Sequence, residues 1–137
     1  MELITSASKV KNVTIDTVTG IDGITYKVTS IGSKAMQNNK NMTGLAIGAN
    51  VKTIGANAFS GCSKLKKVSI GKNITVIEAG AFKGCAALKK ITLPDSVKTI
   101  GANAFSGCKK LTAATIGKTS KSKLATIGKR AFSGCKK

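Results

Sequence analysis

The residues of this chain that could do chemistry are four cysteines and a dense set of lysines. The cysteines are separated by 23, 23 and 27 residues, at Cys62, Cys85, Cys108 and Cys135. Zinc sites usually use Cys-x₂₋₄-Cys pairs on one loop, and the chain has no histidine, so a metal site is disfavoured. Thiols stacked about 5 Å apart would lie within disulfide Cα distance, but would point the same way into a core. The spacing therefore favours small buried apolar residues over metal ligands or disulfides.

The composition leaves little catalytic machinery. Without histidine, a serine or cysteine nucleophile lacks its usual general base. The acids number only five against 23 basic residues, and no two of them are placed together as a general acid and base. They are Glu2, Asp16, Asp22, Glu78 and Asp95. We therefore expect a non-enzymatic protein with no catalytic residues, no metal site and no cofactor.

The lysines give the chain a formal net charge of +18. Many fall just after the cysteines, in a set that we call the lysine stripe: Lys64, Lys66, Lys67, Lys89, Lys90, Lys109 and Lys110, with Lys136 and Lys137 after the last cysteine. Stacked like charges, such as Lys67 over Lys90, are unfavourable neighbours. Either the stripe binds anions or lysine simply fills exposed positions, and both interpretations stay open. With one arginine and one tyrosine, polyanion binding would be nonspecific and salt-dependent.

An internal repeat must position these residues. The twelve residues 51–62 recur unchanged at 97–108, and a variant of them occupies 74–85, which gives a period of 23. The last interval has four extra residues, in a polar run at 116–124 that predicts a longer surface loop. Four apolar columns run through the turns: Val28/Val51/Ile74/Val97/Leu124, Ile31/Ile54/Ile77/Ile100/Ile127, Ala35/Ala58/Ala81/Ala104/Ala131 and Met36/Phe59/Phe82/Phe105/Phe132. Each column predicts one stacked row of a common core.

A second motif, L-x-x-L-x-L, follows each cysteine position, as in residues 65–70, 88–93 and 111–116. Its end alternates apolar and polar residues, which is typical of a strand with one buried face. We therefore expect one short strand per turn, stacked into a parallel sheet about 4.8 Å apart, with the remainder of each turn returning over the outside.

The combined pattern, L-x-x-V-x-I followed by V-x-x-I-G-x-x-A-F-x-G-C, resembles the treponemal-type leucine-rich repeats of BspA-like bacterial surface proteins. The resemblance covers residues 28–137 and suggests a fragment of a longer protein. It implies that the L-x-x-L-x-L strands form a concave face and that Phe59, Phe82, Phe105 and Phe132 pack under the outer side. It also implies adhesion or surface interaction and no catalytic motif.

The predicted fold is an α/β-type repeat protein with little regular helix: a right-handed leucine-rich-repeat solenoid with a parallel concave β-sheet. Residues 1–27 do not fit the repeat, and Asp22-Gly23 between alternating residues indicates a β-hairpin, so we expect an N-terminal β-hairpin cap there. The solenoid then spans 28–137 in about five turns: 28–50, 51–73, 74–96, 97–123 and an incomplete 124–137.

The leading functional prediction is a cell-surface or secreted scaffold for adhesion and protein interaction. Its partner would be a protein or extracellular-matrix component, and its contact positions would be Lys67, Ser69, Lys90, Thr92, Ala113 and Thr115, with Gly44 and Ala46 in the first turn. One alternative is nonspecific binding of nucleic acid, anionic glycan or wall polymer by the lysine stripe. Another is a spacer without its own ligand.

Two further expectations concern the chain as a whole. No apolar run is long enough to span a membrane, and no secretory signal is present, so surface location would come from the parent protein. The last turn has no cap after it, which favours end-to-end or edge self-association.

Overall fold

In the computed structural model, the described residues are 2–3, 11–117 and 119–136, and for residues 2–3 only the backbone is described. The side chains of Glu2 and Lys137, both considered above, lie outside the described residues. Within the described part, each turn of the chain contributes strands and tight turns and no helix, so none of its segments is a membrane-spanning helix. The predicted parallel solenoid is confirmed.

Six very short strands form one continuous parallel sheet, which we call the narrow sheet. Their order is β1-β5-β7-β9-β11-β13. They span Glu2–Leu3 (β1), Ser30–Ile31 (β5), Thr53–Ile54 (β7), Val76–Ile77 (β9), Thr99–Ile100 (β11) and Thr126–Ile127 (β13). These strands were not predicted, because in each of β5, β7, β9 and β11 a single isoleucine is buried, which is too little for a period-2 signal.

The L-x-x-L-x-L strands form the second layer, which we call the broad sheet. They span Asn12–Ile15 (β2), Gly44–Ile47 (β6), Lys67–Ser69 (β8), Lys90–Leu93 (β10) and Ala113–Ile116 (β12). All pairings are parallel, but they fall into two groups, β2-β6-β8 and β10-β12. The predicted parallel sheet is therefore present, with an interruption between β8 and β10.

The core lies between the two sheets and repeats from turn to turn. The four predicted columns are buried from the first turn to the fourth, where their members are Val97, Ile100, Ala104 and Phe105. Phe59, Phe82, Phe105 and Phe132 stack with ring centroids 5.3, 5.3 and 5.2 Å apart. In the last turn, Leu124 and Phe132 are only half-buried and Ile127 is 50% exposed. Burial of the columns thus holds wherever another turn covers them.

An outer loop leads from each narrow-sheet strand to the next broad-sheet strand, and backbone hydrogen bonds bind it to the following turn. The amides of Asn57, Phe59 and Gly61 donate to the carbonyls of the next turn at 2.7–2.9 Å, and the pattern recurs in the other turns. Two positions per loop have a left-handed backbone. One is occupied by Lys34, Asn57, Gly80, Asn103 and Arg130, and the other by Asn38, Gly61, Gly84, Gly107 and Gly134. Glycine and asparagine tolerate this conformation best, which explains their recurrence.

The predicted hairpin around Asp22-Gly23 is present as β3 (Thr17–Thr19) paired antiparallel with β4 (Thr25–Lys27). It lies in the connection from β2 to β5, which has 14 residues, where the equivalent connection from β6 to β7 has five. Strands β1 and β2 precede it and pair with β5 and β6. Its role as a cap, the boundary at residue 28, the division into five turns and the right-handed coil stay predictions.

Candidate interaction surface

The outward face of the broad sheet carries the predicted contact residues, and we call it the binding face. Alternation along each strand turns Ile91 and Leu93 into the core and leaves Lys90 and Thr92 exposed. Strand register places Lys90 beside Ala113 and Thr92 beside Thr115, while Lys67 and Ser69 pair with Gly44 and Ala46. All six predicted contact residues are exposed: Lys67, Ser69, Lys90, Thr92, Ala113 and Thr115. The face is therefore a row of small side chains bordered by lysines.

The lysine stripe lies at the start of the broad-sheet strands and in the segment that precedes them. Its described members are all exposed: Lys64, Lys66, Lys67, Lys89, Lys90, Lys109, Lys110 and Lys136. Two shallow cavities open among them. One, of about 360 Å³, is lined by Lys66, Lys67, Val68, Lys89, Lys90 and Thr92. The other, of about 350 Å³, is lined by Lys89, Lys110, Thr112 and Lys136. Neither lining contains an acidic residue, so both cavities have a positive potential.

The acids with described side chains have separate local roles. Glu78 accepts a hydrogen bond from the Ala56 amide at 2.8 Å, which ties one turn to the previous one. Asp95 accepts from the Thr119 hydroxyl at 2.6 Å at the base of the longer loop. Asp22 accepts from the Tyr26 hydroxyl at 2.7 Å, and this bond lowers the pKa of the Asp22 carboxyl. Asp16 accepts a hydrogen bond from the side-chain amide of Asn50 at 3.4 Å. The described residues contain no acidic pair poised for acid–base catalysis.

The cysteines form a row in the core, as the sequence predicted. Cys62, Cys85 and Cys108 are buried and Cys135 is half-buried. Each thiol donates to a backbone carbonyl of the preceding turn at 3.2–3.3 Å, for example Cys85 to Phe59. Burial raises the pKa of the Cys62 thiol to about 11 and that of the Cys108 thiol to about 12. Nucleophiles and metal ligands need the thiolate, so these groups are structural hydrogen-bond donors at neutral pH. Within the described residues, no cluster of three potential metal ligands occurs.

Two features of the structure were not predicted. The first is the interruption between β8 and β10, which runs through the lysine stripe. Its signal was available in the aligned repeats, because Lys66 and Lys67 align with Lys89 and Lys90. The second is the occurrence of a lysine and an arginine, Lys34 and Arg130, at left-handed positions with φ of 59° and 58°. The repeat frame was the available signal, because it aligns Lys34 and Arg130 with Asn57, Gly80 and Asn103 in the other turns.

The two parallel sheets, the 23-residue frame and the stacked core define a leucine-rich-repeat solenoid. The family model described as "BspA type Leucine rich repeat region" matches residues 29–137 in six copies. The chain belongs to the BspA-type leucine-rich repeat family. No functionally curated protein matches the chain.

Solved structures support this assignment. A leucine-rich repeat protein from Bacteroides capillosus is 34% identical with a TM-score of 0.66, over 80% of this chain and 77% of that one. The pneumococcal vaccine antigen PcpA is 29% identical with a TM-score of 0.77, over 97% of this chain and 36% of that one. A leucine rich cell surface protein from Faecalibacterium prausnitzii is 27% identical with a TM-score of 0.62, over 96% of this chain and 41% of that one. The chain spans less than half the length of the latter two proteins.

Proposed function

We propose that this chain is a non-enzymatic interaction module of a cell-surface or secreted adhesion protein, and that it contacts a protein or matrix partner through the binding face. The observation that carries the proposal is the row of small, exposed side chains on β8, β10 and β12, which allows another protein surface to approach the sheet closely. A relative described as a cell surface protein supports the location. The local roles of the described acids and the raised pKa of the buried thiols support a non-enzymatic function.

The experiment is binding of the purified chain to intact host cells and to a panel of immobilised extracellular-matrix proteins. In the test variant, Thr92→Arg and Thr115→Arg place two long side chains in the middle of the binding face. The control variant, Thr126→Arg, makes an equally exposed change on the narrow sheet. We expect the first variant to lose at least tenfold in affinity and the control to bind normally. Equal binding by both variants would contradict the proposal.

A second candidate function is capture of polyanions by the lysine stripe, and the carrying observation is its exposed lysines around two cavities without acidic lining. Affinity for heparin and DNA, but not for a neutral polysaccharide, would be micromolar or tighter near physiological salt and fall steeply as salt rises. Reversing the charge of Lys66, Lys67, Lys89 and Lys90 to Glu should abolish it. Unchanged binding by that variant would dismiss the stripe.

A spacer role is tested by deleting these turns from the parent protein. If the parent protein keeps its adhesion, the chain is a spacer.

Self-association is tested with the purified chain. Association through the last turn is supported by Ile127, which is 50% exposed, whereas Ile31, Ile54, Ile77 and Ile100 are buried. Light scattering across a concentration series should show dimers or larger species, and a strict monomer at high concentration would argue against association.

A further inference from the structure

The broad sheet is interrupted at one junction among the described turns, between β8 and β10, and we call this junction the seam. The same two turns remain joined in the narrow sheet and in the outer loops. In the narrow sheet, Thr53 pairs with Val76 and Ile54 with Ile77. In the outer loops, the Phe59 amide donates to the Ala81 carbonyl at 2.8 Å. The seam is therefore a local loss of strand pairing between two turns that are otherwise stacked in register, and β8 and β10 still lie next to each other.

Opposed lysines distinguish the seam from the paired junctions. The 23-residue repeat sets Lys66 opposite Lys89 and Lys67 opposite Lys90. Across β6 and β8, Lys67 faces Gly44, and across β10 and β12, Lys90 faces Ala113. Like charges directly opposite each other on adjacent strands destabilise pairing. Two such oppositions in succession give the seam an electrostatic reason to open.

Pro94 is a weaker cause of the opening. At the equivalent position, the Gly48 amide donates to Ile15 at 2.7 Å and the Gly117 amide to Leu93 at 3.0 Å, whereas proline has no amide hydrogen. However, β6 and β8 pair although the Gly71 amide makes no such bond to Ile47 in this fully described region. Loss of that one bond does not prevent pairing, which favours repulsion between the lysines as the cause.

The cavity of about 360 Å³ lies over the seam and is lined by Lys66, Lys67, Lys89, Lys90, Val68 and Thr92. On the β8 side Val68 is half-buried, whereas on the β10 side Ile91 is only 2% exposed. Four ammonium groups around a cavity with no acidic lining suit a compact ligand with several negative charges, because charge-assisted hydrogen bonds to oxyanions are strong.

We propose that the seam binds a multivalent oxyanion, a run of three or more phosphate or sulfate groups, and that this ligand closes the sheet. The bound anion neutralises the opposed lysines and thereby removes the repulsion that separates β8 from β10. Strand pairing then extends through all five strands of the broad sheet. This inference rests on the second candidate function, because the seam is part of the lysine stripe, and it adds a defined site and a conformational response.

The experiment measures amide hydrogen exchange and calorimetric binding with tripolyphosphate as the probe and orthophosphate as the monovalent reference. Tripolyphosphate should slow exchange of the Val68, Lys90 and Thr92 amides, which point across the seam, at least tenfold and leave the Thr53 and Ile54 amides unchanged. Orthophosphate at the same concentration should have little effect. Tripolyphosphate binding without slower exchange at β8 and β10 would overturn the proposed closure.

Two charge-matched variants test the cause. Replacing Lys67 and Lys90 with alanine should weaken tripolyphosphate binding at least tenfold and slow exchange at the seam without ligand. Replacing Lys83 and Lys98 with alanine removes the same charge at exposed positions outside the stripe. This control should change neither tripolyphosphate binding nor exchange at the seam. If Pro94→Gly slows exchange in the free protein and the double lysine variant does not, repulsion is not the cause and the proposal is overturned.

The outcomes separate this proposal from the function on which it rests. Heparin binding that survives the Lys67 and Lys90 substitutions, with no protection of the seam, would overturn the seam site and leave polyanion capture by the rest of the stripe intact. Failure of tripolyphosphate, heparin and DNA to bind at low salt would overturn both.

Discussion

The stacked phenylalanines allow a quantitative prediction about how the turns stabilise one another. Phe82 is fully buried between Phe59 and Phe105, with both ring centroids 5.3 Å away. Phe82→Ala leaves a cavity and removes two stacked contacts, so the free energy of unfolding should fall by about 4–5 kcal/mol. Phe132 is half-buried and stacks on Phe105 alone, so Phe132→Ala should lose about 2 kcal/mol.

Urea denaturation followed by circular dichroism measures both losses. Because turns of a solenoid can unfold separately, the slope of each transition must be compared with that of the parent chain. Phe82→Ala is expected to lower the midpoint of the whole transition, whereas Phe132→Ala should mainly loosen the last turn. If Phe132→Ala cost as much as Phe82→Ala with an unchanged slope, stacking on both sides would not be what stabilises this core.

Three further predictions follow from single positions. Arg130→Gly should raise the free energy of unfolding by about 0.5–1 kcal/mol because the left-handed backbone at φ 58° strains arginine, and a decrease in a denaturation curve would contradict this. Gly84→Ala, at φ 73°, should instead lower it by about 1–2 kcal/mol, and an unchanged midpoint would count against the assigned backbone. The buried thiols have a pKa raised above the usual value of 9.0, so their neutral form favours the folded state. Their contribution to stability is complete below pH 9 and is lost between pH 9 and about 11 for Cys62 or about 12 for Cys108. Denaturation of the parent chain and a Cys62→Ala, Cys108→Ala variant across that range should show a shallower loss in the variant, and parallel losses would refute the assignment.

Much of the fold was predictable because the repeat displays the same core positions several times. Each buried column, such as Ile54, Ile77 and Ile100, can be found by aligning one turn with the next. The broad sheet was predictable for the same reason, since β6, β8 and β10 each alternate over three or four residues. The narrow sheet was not, because a two-residue strand such as Thr53–Ile54 depends on pairing with its neighbours and leaves no periodic pattern.

For the candidate surface, the sequence predicted which residues are exposed but did not predict how the strands that carry them pair. Exposure of Lys90 and Thr92 follows from strand alternation, but the seam depends on interactions between turns, where repulsion competes with backbone pairing. Alignment of Lys67 with Lys90 indicated unfavourable stacking and did not indicate which interaction would prevail. The position of the hairpin within the connection from β2 to β5 could not be predicted from local sequence. It depends on the pairing of β2 with β6, which joins residues 32 apart along the chain.

The most direct test of the proposed surface is lysine footprinting, in which a mild acetylating reagent modifies exposed amines and mass spectrometry reports protection by a bound ligand. Lysines lie on several faces of the solenoid, so every candidate contact surface carries a reporter. With the chain bound to the matrix protein that binds it most tightly, we predict protection of Lys67 and Lys90, which lie on the binding face. Lys34, Lys83 and Lys98 should stay reactive. Protection of that second group, with the first still modified, would contradict the assignment of the binding face.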